Sequence, residues 1–178
     1  MNNTSSTNSG ALADDKIPER SDISGPSDLE VLHMQPDSGW PEWLSRELLA
    51  SFLHENMKPY EDTVEDIERG LDFALHPSEM RGGFILLAHR RGELAGATVF
   101  LKTGMKGYVP ENLLLFVAVR TDLRSKGIGR FLIERAIEHC EGEVKLHVEY
   151  DNPAKRLYER IGFSNKYAEM RLKARSQK

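Results

Sequence analysis

Residues 113–150 join a wholly apolar run, a basic loop with two glycines, a helical pattern and an alternating segment. The run LLLFVAV is typical of a central strand that is covered on both faces. Apolar side chains recur at steps of three and four after Gly127, which indicates a helix, and VKLHVEY alternates as a strand does. A strand, a crossover helix and a second strand predict a parallel βαβ unit.

The residues before this unit predict a strand, two helices and a hairpin. DLEVLHM is a first strand, and WPEWLSRELLASFLHENM predicts a helix with Pro41 in its first turn. EDTVEDIERGLDFAL predicts a second helix that ends before Pro77. GGFILLAHR and ELAGATVFLK, joined by the RRGE turn, predict a hairpin. The apolar stripe of the first helix is predicted to contain Trp43, Leu44, Leu48, Phe52 and Leu53.

The residues after the βαβ unit predict a short helix and a last strand. DNPAKRLYERIGF has Asp151 or Asn152 as its cap, Pro153 in its first turn and Gly162 at its end. YAEMRLK alternates as a strand does. Three strands precede the crossover helix with no helix between them, and such strands pair antiparallel. We therefore expect an α/β fold with a mixed sheet.

Composition limits the class of protein. We expect a disordered leader at residues 1–28, which are rich in Ser, Asn, Asp, Gly and Pro, and a single domain at residues 29–178. The net charge of −4 provides no overall basic field for nucleic acid or an anionic membrane. One cysteine, no Cys/His pairs at metal spacing and no long apolar run predict a cytoplasmic protein without a metal, a signal peptide or a membrane span.

The stretch RSKGIG stands where a helix begins. The first N–H groups of a helix lack partners and, with the helix dipole, favour an anion. Gly127 and Gly129 keep side chains away from the backbone, while Arg124, Lys126 and Arg130 add positive charge. The pattern lacks the spacing of a Walker A loop and the third glycine of a dinucleotide fingerprint. It predicts a phosphate or pyrophosphate site, with a solvated surface loop as the alternative.

The same residues resemble a known family. LLLFVAVRTDLRSKGIGRFLIERAIE is similar to the acyl-CoA-binding motif of the GNAT superfamily of N-acetyltransferases, through Arg124, Gly127 and Gly129. DNPAKRLYERIGF resembles a second signature of that family, which includes Asn152 and Tyr158. The resemblance covers residues 84–172. It implies a mostly antiparallel mixed sheet with a parallel acyl-CoA-binding βαβ unit and helices on both faces.

The resemblance also implies a site for acetyl-CoA, with no metal. The strand before the loop would splay from its parallel neighbour at a bulge, and pantetheine would pair with the backbone of Val117 and Val119 in the gap. Asn152 would cap its helix, bind CoA, or do both. The pyrophosphate would lie on loop residues near Arg124, namely Ser125, Lys126, Gly127, Ile128, Gly129 and Arg130.

Transfer by direct attack requires a neutral amine and a proton for the departing thiol. By resemblance, Tyr158 is the general acid. His147 stands where some peptide acetylases of the family carry a glutamate, so it is the candidate base, with Glu149 and Glu111 as alternatives. Cys140 is interpreted as structural.

The acceptor is a small-molecule or peptide amine, and a homodimer is compatible with the chain. The segment YEDTVEDIERG is acidic and could attract a cationic amine, but the pattern favours a solvated helix face. Two other functions remain open: an acyl-CoA sensor without transfer activity, and a nucleotide-binding protein.

Overall fold

The computed structural model describes residues 24–77 and 82–172. Residues 1–23 of the predicted leader lie outside these ranges, and residues 24–28 enter the first strand through a 3-10 turn at Pro26–Asp28. The strands are β1 (Glu30–Met34), β2 (Gly83–Arg90), β3 (Glu93–Lys102), β4 (Asn112–Val119) and β5 (Val144–Leu146). The helices are α1 (Arg46–Met57), α2 (Val64–Ala74), α3 (Ile128–Ile137) and α4 (Lys155–Ile161).

The five strands form one sheet in sequence order, β1-β2-β3-β4-β5. Strands β1 to β4 pair antiparallel with one another in that order. Strand β5 pairs parallel with β4 across the α3 crossover. This confirms the mixed, mostly antiparallel sheet and the predicted βαβ unit. None of the helices in the described ranges has the length and apolarity that a membrane crossing requires.

The hairpin between β2 and β3 follows the local chemistry of its turn. Arg91 and Gly92 have φ values of +51° and +80°. Two successive residues with positive φ are typical of the type I′ turn, whose twist matches that of the flanking strands. The predicted RRGE hairpin is therefore confirmed.

Apolar side chains form a core on each face of the sheet. Helices α1 and α2 pack on one face against Ile85, Val99 and Phe116. Helices α3 and α4 pack on the other face against Leu86 and Leu114. Helices therefore cover both faces, as expected, and β4 contributes buried side chains to both cores.

Helix α1 begins later than predicted. Ser45 caps it by accepting a hydrogen bond from the backbone N–H of Leu48 at 3.2 Å, so Pro41 lies before the helix. The predicted apolar stripe is also wrong at Leu48, which is 59% exposed, whereas Leu49 is fully buried. A serine cap within the apolar pattern set the helix start and therefore which face turns inward.

The predicted last strand is wrong. Residues 164–172 form no strand, and the side chains of Met170 and Leu172 are 94% and 96% exposed. The neighbouring strand β5 ends at Leu146, earlier than the segment VKLHVEY predicts. A strand needs a partner edge for its hydrogen bonds, and three residues of β5 provide little of one.

Asn112 fixes the return of the chain from α3 to β5. It is 5% exposed, and its amide Nδ2 donates to the carbonyls of Glu141 and Glu143 at 2.8 and 3.2 Å. Its backbone N–H also donates to the Glu143 carbonyl at 3.1 Å. These bonds set where β5 starts to run beside β4.

We predict that Asn112→Ala lowers the free energy of unfolding by about 1–3 kcal/mol, because the hydrogen bonds from the buried side-chain amide to the Glu141 and Glu143 carbonyls are lost. Urea denaturation followed by circular dichroism measures this. The control is Glu141→Ala, which keeps the carbonyl that accepts the bond. Equal stability of Asn112→Ala and Glu141→Ala would show that the side-chain amide does not hold this turn.

Candidate active site

Strand β4 is paired with β5 only along its first three residues. The parallel register runs from Asn112 opposite Val144 to Leu114 opposite Leu146, where it ends. Strand β4 continues to Val119 without β5 beside it. The two strands therefore leave an open edge along the second half of β4.

A bulge on β4 lies at the point where this pairing ends. Val99 of β3 is opposite Phe116, but the next residue, Phe100, is opposite Leu114. Leu115 is thus an extra residue on β4. A bulge of this kind bends its strand and increases the local twist, which accounts for the separation of β4 from β5.

Val117 and Val119 of β4 direct their backbone groups toward the open edge. The N–H of Arg120 donates to the carbonyl of Ala95 on β3 at 2.9 Å. Backbone groups alternate in direction along an antiparallel strand, so those of Ala118 also face β3. Those of Val117 and Val119 consequently face the gap, where an extended ligand can pair with them.

The loop after β4 holds a strained turn. Ser125 has a φ of +64° and Gly127 a φ of +83°. A left-handed conformation is uncommon for a residue other than glycine and tends to occur at functional sites. The first hydrogen bond of α3 joins the Phe131 N–H to the Gly127 carbonyl at 3.0 Å. The N–H groups before Phe131 thus form the anion-favouring end of the helix.

The two glycines of the loop differ in their surroundings. A Cβ at Gly127 would meet only Pro26, at 3.8 Å. A Cβ at Gly129 would lie 3.4 Å from Val119 and 3.5 Å from Leu157, which are ordinary contacts. The protein has space for a Cβ at both positions, although the positive φ of Gly127 disfavours one there. Contacts with the described residues therefore do not require a glycine at position 129.

The basic side chains of the loop are largely engaged. Arg124 donates to the backbone carbonyl of Asn56, at the end of α1, at 2.7 Å. Arg130 forms an ion pair with Glu134 at 2.7 Å, and Lys126 is exposed. The ion pair offsets the charge of Arg130, whereas Arg124 keeps its charge because its partner is a neutral carbonyl.

Tyr158 lies on helix α4, in the apolar cluster against which Val117 and Val119 of β4 also pack. Its side chain is 9% exposed and packs in the core of α3 and α4, with its ring 6.0 Å from that of Phe163. Burial raises the pKa of Tyr158 to about 12. The hydroxyl therefore stays protonated at neutral pH and is able to donate a proton or a hydrogen bond.

Asn152 prepares the start of α4. Its Oδ1 accepts a hydrogen bond from the Ala154 N–H at 2.9 Å, and Pro153 follows it directly. This bond closes a turn just before the helix, because α4 begins at Lys155 with Ala154 as its N-cap and no side-chain cap. The prediction that Asp151 or Asn152 caps the helix, with Pro153 in its first turn, is therefore wrong.

The candidate bases occupy different surroundings. His147 is exposed and lies one residue beyond β5, while the adjacent Val148 packs toward α3 and α4. Glu111 lies before the start of β4, and its Oε2 accepts a hydrogen bond from the Glu143 N–H at 2.9 Å. That bond lowers the pKa of Glu111. Its carboxylate is committed to a turn and is a weak base there.

The connection from α1 to α2 meets the segment that follows β5. The Tyr60 hydroxyl donates to the Asp151 carbonyl at 3.2 Å. Burial, together with the charges of Asp151 and Glu149, raises the pKa of Tyr60. Glu61 Oε2 is buried and has no hydrogen-bond partner within the described residues. The connection between α1 and α2 is thus joined by a polar contact to the segment that follows β5.

The acidic segment between α1 and α2 divides into two sets. On α2, Glu65 and Asp66 each lie 3.2 Å from Arg69, and Glu68 lies 2.9 Å from Arg46. These carboxylates are neutralised by arginines on the helix surface. Glu61, before α2, has no hydrogen-bond partner at Oε2 among the described residues, although its charge acts on Lys58.

Cys140 has no nucleophilic character. Its Sγ lies 3.5 Å from the Ala136 carbonyl, and burial raises its pKa to about 11. A protonated thiol is a poor nucleophile, in keeping with a structural interpretation. The described ranges contain no group of three or more metal-binding side chains.

Sequence reasoning missed the contact between Asn56 and the loop. Residues 56 and 124 are distant in sequence, and an asparagine near the end of an amphipathic helix is ordinary. The exact position of the bulge was missed for a similar reason, because Leu115 lies within an unbroken apolar run. Neither feature has a local signal.

Comparison with known proteins gives a family match. The model of the acetyltransferase (GNAT) family matches residues 40–163, which is more than half of the chain. A search of curated proteins found no match.

Solved structures with a similar fold include proteins of different activity. The aminoglycoside N-acetyltransferase AAC(6')-Iy, in complex with CoA, is 12% identical with a TM-score of 0.59 over 83% of this chain and 95% of that one. A ribosomal-protein-alanine N-acetyltransferase from Brucella melitensis biovar Abortus 2308 is 18% identical, with a TM-score of 0.53 over 82% and 99%. A transcriptional regulator from Bacillus halodurans C-125 is 16% identical, with a TM-score of 0.56 over 82% and 99%.

At these identities the structural matches show the fold alone, since one fold supports many functions. The family match covers the bulged strand, the glycine loop and the helix that carries Tyr158. The chain belongs to the GNAT family of acetyltransferases.

Proposed function

We propose that the protein transfers an acetyl group from acetyl-CoA to a primary amine by direct attack of the amine on the thioester. The observation that carries this proposal is the gap between β4 and β5, which begins at the Leu115 bulge and leads to the N-terminus of α3. An extended cosubstrate with a pyrophosphate at one end and a thioester at the other matches such a gap.

The chain's backbone binds this cosubstrate. The N–H groups of residues 125–130 receive the pyrophosphate, because the helix dipole and the left-handed turns at Ser125 and Gly127 direct N–H groups outward. The backbone groups of Val117 and Val119 pair with the amides of pantetheine as an added strand does. The side-chain oxygen of Asn152 accepts from the Ala154 N–H and so holds the turn that leads into α4, the helix of Tyr158.

Two groups act on the reacting atoms. A backbone N–H near Val117 stabilises the negative charge that develops on the thioester oxygen. As the new C–N bond forms and the C–S bond breaks, Tyr158 gives its proton to the sulfur. Its raised pKa keeps that proton available throughout the neutral range.

His147 removes the proton that the amine loses, directly or through water. It lies beside the gap, and its exposed ring exchanges that proton with solvent. Glu149, near Tyr60, is the alternative base. Glu111 is less suitable, because its carboxylate is bound to the Glu143 N–H.

The acceptor is a primary amine on a small molecule or a peptide. The aminoglycoside acetyltransferase among the similar structures supports a small molecule. Glu61 also supports a cationic acceptor, because its Oε2 is buried without a hydrogen-bond partner among the described residues.

Binding of acyl-CoA without transfer is the alternative function. A thiol-release assay with acetyl-CoA and a panel of polyamines, aminoglycosides, amino acids and short peptides separates the two. Acetyl-CoA binding without thiol release for any amine would favour the sensor.

We predict that acetyl-CoA raises the melting temperature of the wild type and that Gly127→Glu abolishes the increase. At about 100 times its Kd, a ligand stabilises a protein by about 2.7 kcal/mol. The glutamate would place a negative charge beside the pyrophosphate. Differential scanning fluorimetry measures the shift. Gly127→Ala, the control, adds the strain of a positive φ without charge and should retain most of it. Wild-type affinity in Gly127→Glu would refute the loop assignment.

We predict that Tyr158→Phe keeps the affinity for acetyl-CoA but lowers kcat by about 10²–10⁴-fold, the range of positioned acid catalysis. The ring and its packing remain, and only the proton donor is lost. Single-turnover kinetics at saturating substrates measure the chemical step. Tyr150→Phe, at an exposed tyrosine, is the matched control. An unchanged chemical step in Tyr158→Phe would remove this tyrosine from the mechanism.

The pH dependence of the wild type tests the same assignment. Burial raises the pKa of Tyr158 above its ordinary value of 10.0 to about 12, so the acid form persists as the pH rises through 10. We therefore expect kcat to show no loss near pH 10 from this group. A decline with a midpoint near 10 that Tyr158→Phe removes would contradict the buried environment.

We predict that His147→Gln lowers the rate most at neutral or lower pH, where an amine is mainly protonated and must lose a proton before attack. At high pH the free amine is abundant, and the difference from wild type should shrink. A pH–rate profile with one confirmed acceptor measures this, with His139→Gln as the control. A penalty that stays constant with pH would assign His147 to structure or substrate binding.

A further inference from the structure

Asn56, near the end of α1, joins that helix to the loop after β4. Its Oδ1 accepts hydrogen bonds from the Thr121 N–H at 3.0 Å and the Thr121 hydroxyl at 3.2 Å. Its backbone carbonyl accepts from the Arg124 guanidinium at 2.7 Å. Its Nδ2 donates to the Phe52 carbonyl, one turn earlier, at 2.8 Å. One residue thus holds both Thr121 and Arg124.

The helix end explains why these bonds form. The last carbonyls of a helix lack intrahelical donors and carry the negative end of the dipole, which favours a cation such as Arg124. The bond to Phe52 holds the Asn56 side chain in one orientation. The acceptor oxygen is thereby fixed in place before Thr121 meets it.

The loop is held on its other side by an ion-pair network. Arg120, between β4 and Thr121, pairs with Glu93 of β3 and with Asp122 at 2.8 Å. The start of the loop is thus fixed to the sheet through Arg120 and to α1 through Asn56. Ser125 and its positive φ follow directly after Arg124, so a shift of Arg124 would redirect the N–H groups beyond it.

We propose that Asn56 is a positioning residue that holds the loop of residues 121–127 in the orientation that binds the pyrophosphate of acetyl-CoA. The proposal rests on the proposed function. Asn56 touches neither cosubstrate nor acceptor, and it acts through Thr121 and Arg124. The chain after Asn56 carries Tyr60 to the segment that follows β5, so the same residue links the cosubstrate loop to that segment.

A purely structural role would have a different signature. Loss of a helix-end bond alone would lower the stability of the free protein but leave the affinity of the folded protein unchanged. A positioning role weakens binding in protein that is fully folded. The KM for acetyl-CoA should then rise, while kcat at saturating acetyl-CoA stays near that of the wild type, since Tyr158 and His147 are untouched.

The test measures CoA affinity by isothermal titration calorimetry at a temperature where every variant is folded. Asn56→Ala should weaken binding about fivefold, within the range expected for one or two lost hydrogen bonds. Asn56→Asp keeps the oxygen that faces Thr121 but loses the donor to the Phe52 carbonyl and adds a negative charge at the helix end, so it should restore the affinity only in part. Ser51→Ala, at an exposed position on α1, is the control and should bind as the wild type does.

Thr121→Val provides an independent variant that leaves α1 unchanged. It removes the hydroxyl bond to Asn56 Oδ1 but keeps the backbone one, so we expect a smaller loss of affinity than in Asn56→Ala. The double variant should bind no more weakly than Asn56→Ala alone, because the two residues share one contact. Additive losses would contradict the shared contact.

The outcomes separate the two proposals. If the wild type does not bind CoA, the proposed function fails. If the wild type binds and both Asn56→Ala and Thr121→Val bind equally well, the positioning role alone is overturned. A lower melting temperature of Asn56→Ala with wild-type affinity and KM also overturns it.

Discussion

The extra residue of β4 at Leu115 is the constraint on which the remaining architecture depends. Because of it, Leu114 faces the core of α3 and α4 while Phe116 faces the core of α1 and α2. The same bulge coincides with the end of the pairing between β4 and β5. A single inserted residue therefore serves both cores and leaves a strand edge without a partner. A regular β4 paired along its whole length with β5 would close that edge.

The polar character of the gap comes from the backbone and from side chains. Arg130 of α3 is paired with Glu134, and Arg124 keeps its charge while it donates to the Asn56 carbonyl, so oriented N–H groups act on an anion together with the charges of Arg124 and Lys126. At Tyr158, burial disfavours the negatively charged phenolate and so raises the pKa of the hydroxyl. The proposed cosubstrate site thus combines fixed dipoles at the start of α3 with a hydroxyl on α4 that stays protonated.

Local chemistry made several elements predictable. The turn at Arg91 and Gly92 and the glycine loop before α3 depend on residues adjacent in sequence, and both lie where they were expected. The start of α1 was misplaced because apolar spacing continued before the Ser45 cap. The last strand was misassigned because alternation describes a strand but supplies no partner for it.

The sequence by itself determined the family, the βαβ unit and the loop chemistry, because these depend on short-range steric and hydrogen-bonding preferences that neighbouring residues carry. Tertiary structure decided where β4 bulges and what Arg124 contacts. The first depends on fitting side chains into two cores at once, which favoured Leu115 as the extra residue. The second depends on α1 ending where Asn56 meets the loop. Contacts between distant residues leave no trace in local spacing, and only packing of the whole chain brings them together.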